Sequence, residues 1–178
     1  MNMDTFIVSM IGGVNAGKSF ITNKILKREH DLSITGQDFG NILYKINEKT
    51  LKLQIWDQKW YHFSSESMIN RIKCIYYRSH VMIMIFDVNN LESFNVCKTL
   101  VNETILKQPV SRIINNTVFL IGNKVSSNRV VSVDEATQFS YLFNIMYTEI
   151  DYQPGKQLQS YIDDLLLKIA TSITNKNM

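Results

Sequence analysis

The feature that most constrains this chain is an eight-residue segment from Gly12 to Ser19, which reads Gly-Gly-Val-Asn-Ala-Gly-Lys-Ser. A short apolar run over 6–11 precedes it and an amphipathic stretch follows it, so the segment is predicted to join a buried strand to a helix. The glycines let the backbone turn tightly, and successive N–H groups then converge with the helix N-terminus on an anion. Lys18 adds a positive charge for the outer phosphates of a nucleotide, and a serine hydroxyl suits Mg²⁺. We therefore predict a phosphate-binding loop (P-loop); the alternative is a glycine turn that merely precedes a helix.

The rest of the chain alternates short apolar runs with longer amphipathic stretches, which is typical of an α/β fold. Strands are predicted at 6–11, 42–46, 51–56, 81–88, 116–121 and 144–150, and helices at 18–28, 68–77, 92–106, 133–143 and 158–173. Polar residues over 47–50 separate two alternating runs, which indicates a hairpin and hence one antiparallel strand. We expect a mostly parallel six-stranded sheet with helices on both faces. No linker or repeat interrupts the pattern, so residues 1–178 are interpreted as one domain.

Composition excludes several classes of protein. The net charge is only +3, and no basic stripe with interleaved aromatic residues is present, so no nucleic-acid partner is expected. The two cysteines, Cys74 and Cys97, do not make a disulfide framework and favour a reducing, cytoplasmic compartment. The longest apolar run, over 81–88, is too short to span a bilayer, and the N-terminus lacks the basic region of a signal peptide.

Further segments bring the chain into register with one family over residues 6–170. They are Leu53-Gln54-Ile55-Trp56-Asp57, Tyr76-Tyr77-Arg78-Ser79, Phe86-Asp87-Val88-Asn89-Asn90-Leu91-Glu92-Ser93-Phe94 and Gly122-Asn123-Lys124. With these segments and the P-loop, the chain resembles the small GTPases of the Ras superfamily, and most closely the Rab branch. The resemblance implies a Ras-like G domain, GTP or GDP with Mg²⁺ as cofactors, and effector or regulator proteins as partners of two switch loops.

The resemblance also implies which residues hold the nucleotide and the metal. The nucleotide-binding positions are Val14, Asn15, Ala16, Gly17, Lys18, Ser19, Phe20, Asn123, Lys124 and Ser126. Asn123 and Lys124 would tie the loop that receives the base to the P-loop. The metal positions are Ser19, Asp57 and Thr35. When the first switch segment is anchored on Gly36, the family's threonine falls on Ile34, so Thr35 serves only if the loop shifts by one residue.

The second switch segment departs from the family's Asp-x-x-Gly-Gln. Here it reads Asp57-Gln58-Lys59-Trp60-Tyr61, which keeps the acidic residue for the Mg²⁺ shell. Trp60 replaces the glycine that lets the backbone close onto the γ-phosphate. Tyr61 replaces the glutamine that orients the attacking water, and a single hydroxyl on a rigid ring does not easily both accept from water and donate to phosphate. Gln58 is an alternative for that role, but we expect GTP hydrolysis to be very slow or absent.

Two segments that recognise guanine in the family are also altered. Ser126 replaces the aspartate of Asn-Lys-x-Asp, and Asp151-Tyr152-Gln153 replaces Ser-Ala-Lys. Loss of the charge-assisted contact from that aspartate, worth about 1.5–3 kcal/mol, is expected to cost at least about tenfold in affinity and most of the guanine preference. His30 lies where an aromatic residue usually packs against the base, or else is a solvated loop residue.

The partner surface is better retained. Members of the family recognise their partner proteins through three surface aromatic residues, and the matching positions here are Phe39, Trp56 and Tyr76. Exposed aromatic side chains suit a protein–protein hot spot, although half-buried packing residues are the alternative interpretation. No cysteine follows Cys97, so we expect no prenylation signal at the C-terminus.

Together these features predict an atypical Rab-like GTP-binding protein with weak or no hydrolysis. It would regulate vesicle trafficking or signalling through partner binding, in the cytoplasm or at membranes that it reaches through its partners. Two alternatives remain open at this stage. One is a pseudo-GTPase interaction module that does not cycle nucleotide. The other is a P-loop protein with relaxed base specificity.

Overall fold

A computed structural model describes residues 4–27, 38–58, 66–106, 117–124, 126–151 and 158–176. The strands are β1 (Thr5–Gly12), β2 (Asp38–Ile46), β3 (Lys49–Asp57), β4 (Val81–Asp87), β5 (Thr117–Lys124) and β6 (Met146–Asp151). The helices are α1 (Lys18–Ile25), α2 (Glu66–Arg78), α3 (Leu91–Val101), α4 (Val133–Leu142) and α5 (Leu158–Lys176). Each predicted element is present, with ends that differ by a few residues.

The six strands form one sheet in the order β2-β3-β1-β4-β5-β6. Strands β3, β1, β4, β5 and β6 pair in parallel, and only the β2–β3 pair is antiparallel. The predicted α/β fold, with its mostly parallel sheet and one antiparallel strand, is therefore confirmed. Parallel strands place their carboxyl ends at one edge of the sheet, and the P-loop leaves β1 at that edge.

Two apolar layers cover the central strands. One face of the sheet packs against α1 and α5, and the other packs against α2, α3 and α4. Residues 81–86 of β4 are all buried, as the continuous apolar run predicts for a strand covered on both faces. Within the described ranges, no helix has both the length and the apolar character needed to cross a membrane.

The helix predicted at 92–106 differs from the expectation at its C-terminal end. Residues Leu91–Val101 are α-helical, whereas Asn102–Leu106 form a π-helical turn. The buried Thr104 hydroxyl donates to the carbonyl oxygen of Leu100 at 2.7 Å, and such a bond to the preceding turn disturbs the regular helical ladder. Apolar periodicity does not reveal this change, because the π turn buries the polar residues Glu103 and Thr104 and leaves Leu106 56% exposed.

Candidate functional site

The P-loop backbone adopts a conformation that requires glycine at two positions. Gly12 has φ 145°, and a Cβ there would lie 2.0 Å from the carbonyl oxygen of Ile85 on the adjacent strand. Gly17 has φ 88°, and a Cβ there would lie 2.0 Å from the Nδ2 atom of Asn123. The P-loop therefore fits closely against the ends of β4 and β5, and these glycines permit that approach.

The loop ends at the N-terminus of α1, where backbone N–H groups suit an anion. Gly17 caps this helix, and no side chain forms a capping hydrogen bond there. Asn15 has a left-handed backbone with φ 57°, which asparagine tolerates better than most residues. Val14 and Asn15 are exposed, and Ala16 is buried. A concave backbone next to an uncapped helix N-terminus fits the phosphates of a nucleotide.

The ammonium group of Lys18 is held inside the loop. Its Nζ donates to the carbonyl oxygens of Gly12 at 3.1 Å and Gly13 at 2.6 Å. Burial lowers the pKa of Lys18, while the nearby Asp57 carboxylate raises it. An ammonium group has three donors, so two bonds to the loop leave one donor for a phosphate oxygen. An incoming polyanion would also stabilise the charged form of this lysine.

Two predicted metal-binding residues are brought together beside Lys18. The Ser19 hydroxyl donates to Oδ2 of Asp57 at 2.5 Å, and the Asp57 side chain is buried. A hydroxyl and a carboxylate are oxygen ligands of the kind that Mg²⁺ takes, with the remaining positions filled by phosphates and water. No cluster of three or more His, Cys, Asp or Glu residues occurs in the part of the chain that is described. Thr35, the third predicted metal residue, lies outside the described residues, as do Ile34 and Gly36.

The base side of the site is only partly as expected. Asn123 is fully buried and its Nδ2 donates to the carbonyl oxygen of Ala16 at 2.9 Å, which is the expected tie to the P-loop. Its Oδ1 is buried and accepts no hydrogen bond within the described residues. A ligand N–H group would satisfy this acceptor, so the position fits a heterocyclic base.

For Lys124, the expected tie to the P-loop is wrong. Its Nζ donates instead to Oδ2 of Asp151 at 3.1 Å, because the two residues are register partners at the ends of β5 and β6. Sequence reasoning missed this pair, although the order of parallel strands could have indicated it. Ser126 is exposed, and its hydroxyl accepts from the backbone N–H of Asn128 at 3.3 Å. It therefore supports its own loop.

Other site predictions have mixed outcomes. Phe20 is half-buried and packs toward the α1–α5 core. Gln58, the alternative for positioning water, is buried and lines a cavity of about 240 Å³ together with Trp56 and Ser79. The residues predicted to affect hydrolysis or base packing lie outside the described ranges, namely His30, Lys59, Trp60, Tyr61, Tyr152 and Gln153.

The three predicted partner-binding aromatics do not share one surface environment. Phe39 is 46% exposed and stacks on Trp56 with a centroid distance of 4.9 Å. Tyr76 is only 4% exposed and belongs to the core formed with α3. The expectation that Tyr76 is exposed is therefore wrong, because it lies on the buried face of α2. Ile72, one turn earlier on the same helix, is buried beside it.

Comparison with known proteins agrees with this geometry. The sequence profile of the Ras family matches residues 7–171. The Ras-related protein Rab-1 of Theileria parva is 29% identical, with 96% of this chain and 75% of that protein covered. The GTP-binding protein YPT1 of Saccharomyces cerevisiae is 28% identical, with 97% and 82% covered. The Ras-related protein RABD2b of Arabidopsis thaliana is 32% identical, with 96% and 83% covered. This chain therefore belongs to the Ras family and is a Rab-like small GTPase.

Proposed function

We propose that this chain is an atypical Rab-like protein that holds a guanine nucleotide with Mg²⁺ and hydrolyses GTP very slowly or not at all. It acts in vesicle trafficking or signalling by binding partner proteins, in the cytoplasm or at membranes that those partners occupy. The observation that carries the nucleotide part is the arrangement of Lys18 against two P-loop carbonyls beside the Ser19–Asp57 pair. A cation and two oxygen ligands are thereby preorganised for a phosphate–Mg²⁺ complex.

Slow hydrolysis follows from what the second switch segment has lost. Phosphoryl transfer depends on positioning the attacking water and on stabilising charge, and the residues at the relevant positions are Trp60 and Tyr61. Gln58 does not offer a replacement, since its side chain lines the cavity beside α2. The site thus keeps groups for holding phosphate without the usual group for directing water at it.

The hydrolysis proposal is tested by single-turnover measurement of phosphate release from GTP. We expect a rate at or below roughly 10⁻⁴ s⁻¹, the scale of unassisted small GTPases. The double variant Trp60→Gly/Tyr61→Gln should release phosphate at least about tenfold faster, because it restores the missing amide and backbone freedom. Tyr141→Gln makes the same tyrosine-to-glutamine change at an exposed position on α4, and it should not alter the rate of phosphate release. Rapid unassisted release by the parent protein would refute the proposal.

The partner surface is proposed to be the outer face of the β2–β3 hairpin. Alternate residues Ile42, Tyr44, Leu53 and Ile55 face the α1–α5 core, so their neighbours face outward. The outer residues pair across the strands as Phe39–Trp56, Asn41–Gln54, Leu43–Lys52 and Lys45–Thr50. These eight residues are called the hairpin face. It exposes Phe39 and, at 65%, Leu43, which is a large apolar side chain for a solvated strand.

The charge of the hairpin face indicates the chemistry of the partner. Its two charged residues, Lys45 and Lys52, are both cations, and neither forms an ion pair with any described residue. Arg78 of α2 lines the cavity next to Trp56 and adds a third cation. An acidic amphipathic segment would place apolar side chains on Phe39 and Leu43 and carboxylates against these cations.

This proposal predicts the outcome of selection from a displayed library of random 16-residue peptides. Selected peptides should be rich in Asp and Glu interspersed with Leu or Phe. Their binding should fall at least about tenfold in Phe39→Ala, since truncating a hot-spot aromatic costs about 2 kcal/mol or more. It should fall by a similar factor in Lys45→Glu/Lys52→Glu, since the reversed charges repel an acidic peptide. Tyr141→Ala, which truncates an 85% exposed aromatic elsewhere, should bind normally. Selection of neutral or basic peptides, or retention by Phe39→Ala, would exclude this surface.

A further inference from the structure

We propose that Asp151 supplies the carboxylate that recognises the guanine base, from the end of β6 rather than from the loop after β5. This inference rests on the proposed binding of guanine nucleotide. It also revises the expectation that the change at Ser126 removes most of the guanine preference.

Two contacts position Asp151 relative to the P-loop, one from β5 to the P-loop and one between β5 and β6. Asn123 at the end of β5 donates to the Ala16 carbonyl at 2.9 Å, which joins this strand end to the P-loop. Lys124, the next residue, is the register partner of Asp151 and binds its Oδ2 at 3.1 Å. Asp151 is itself buried. Its carboxylate therefore lies at the carboxyl edge of the sheet, beside the strand end that is joined to the P-loop, and this is where we propose that the base binds.

The chemistry of a carboxylate suits guanine. Guanine presents N1–H and N2–H₂ as two parallel donors, and a carboxylate offers about four lone-pair sites on two oxygens. One carboxylate can therefore accept from Lys124 and from a base.

The sequence supports an exchange of residues between two segments. Where the family resemblance places an aspartate after β5 and a serine at the end of β6, this chain has Ser126 and Asp151. Relative to the family pattern, the acid and the hydroxyl have exchanged places between these two segments. Ser126 is exposed and bonds within its own loop, whereas Asp151 is buried against Lys124. The acid is consequently the more enclosed member of the pair.

The proposal is tested by titrating nucleotide-free protein with GDP, IDP and XDP in the presence of Mg²⁺. The parent should prefer GDP to both other nucleotides by at least about tenfold, because only guanine offers both donors. Asp151→Asn should weaken the binding of GDP by at least about tenfold. It should strengthen the binding of XDP, since an amide can accept from N1–H and donate to the xanthine O2. Tighter binding of XDP by the variant cannot result from misfolding, because misfolding would weaken the binding of every nucleotide.

Two further variants separate recognition from general damage. Asp164→Asn makes the same change in another lysine-paired aspartate, on the exposed side of α5, and should leave the preference unaltered. Asp151→Ser should lose the preference, and Ser126→Asp added to it should restore much of that loss by returning the acid to the other segment.

The outcomes distinguish this inference from the proposed function. The role of Asp151 would be overturned if GDP binds equally tightly to the parent and to Asp151→Asn, or if the parent binds GDP and XDP equally. Either result would leave the proposal of nucleotide binding in place. Failure of the parent to bind any of the three nucleotides would contradict both proposals together.

Discussion

Replacing Lys18 by alanine is expected to weaken binding of GDP and GTP by at least about a hundredfold. The Nζ atom is buried inside the P-loop, within hydrogen-bond distance of two carbonyl oxygens. A charge-assisted bond to a phosphate contributes about 1.5–3 kcal/mol, and the attraction between unit charges at about 4 Å reaches about 4 kcal/mol in a partly screened site. Alanine removes both contributions, and calorimetric titration of nucleotide-free protein measures the loss.

The matched control for this prediction lies six residues along the same helix. Lys24 is exposed on α1, where its Nζ is 5.6 Å from the centroid of the Phe20 ring. Lys24→Ala removes the same charge at a distance from the loop and should bind nucleotide nearly as well as the parent. The free energy of unfolding without nucleotide should change little in Lys18→Ala, because burial already penalises the charged form of this lysine. Parental affinity in Lys18→Ala would contradict the phosphate-site assignment.

Replacing Gly12 by alanine is expected to lower the free energy of unfolding by more than about 3 kcal/mol. Its φ of 145° is a region that L-residues rarely adopt, and such strain costs about 1–3 kcal/mol. The added Cβ would also lie 2.0 Å from the backbone oxygen of Ile85, its register partner on β4. The backbone of Ile85 cannot move aside as a flexible side chain can, so β1 and β4 would have to separate at this point. Urea unfolding followed by circular dichroism measures the effect.

Gly13→Ala provides the comparison for that experiment. The Cβ added there would lie 3.1 Å from the Cα and Cβ atoms of Ser93, a tight contact that a few tenths of an ångström relieves. We expect a loss of about 1 kcal/mol or less, compatible with a folded protein. If Gly12→Ala unfolds at the parental urea concentration, the backbone at the start of the P-loop differs from the one described.

Much of the fold could be predicted because local signals agree with the tertiary structure. The apolar run of β4 is buried on both faces, and the polar residues between β2 and β3 form the antiparallel turn. The P-loop was predictable for the same reason, since its spacing needs a strand before it and a helix after it. Both are present, as Thr5–Gly12 and Lys18–Ile25.

The remaining site features depend on neighbours that are distant in the sequence. Lys124 binds Asp151 because β5 and β6 pair in a particular register, and 26 residues separate those two positions along the chain. Tyr76 is buried because of the rotation of α2 against the core, which an aromatic motif does not specify. In both cases the motif could be recognised from the sequence, but the contacts of the side chain could not. Those contacts are set by tertiary packing rather than by local pattern.

In our proposal this Rab-like chain holds a nucleotide and presents a partner-binding face, rather than acting as a fast hydrolytic switch. The phosphate side combines Lys18, Ser19 and Asp57 in close contact. The base side retains the link from Asn123 to the P-loop and, in our proposal, an acid contributed by β6. The hairpin face joins this site through β3, because Asp57 follows Trp56 directly. If both proposals hold, a bound nucleotide would stabilise the hairpin face through this direct link.

The most direct test of the central claim is to identify what the purified protein carries. The protein is denatured, and the released small molecules are separated by ion-exchange chromatography and quantified against the protein. We expect GDP or GTP in near-stoichiometric amount from the parent and much less from Lys18→Ala. Absence of any nucleotide, together with no heat on titrating GTP and Mg²⁺ into the folded protein, would contradict the account and favour a pseudo-GTPase.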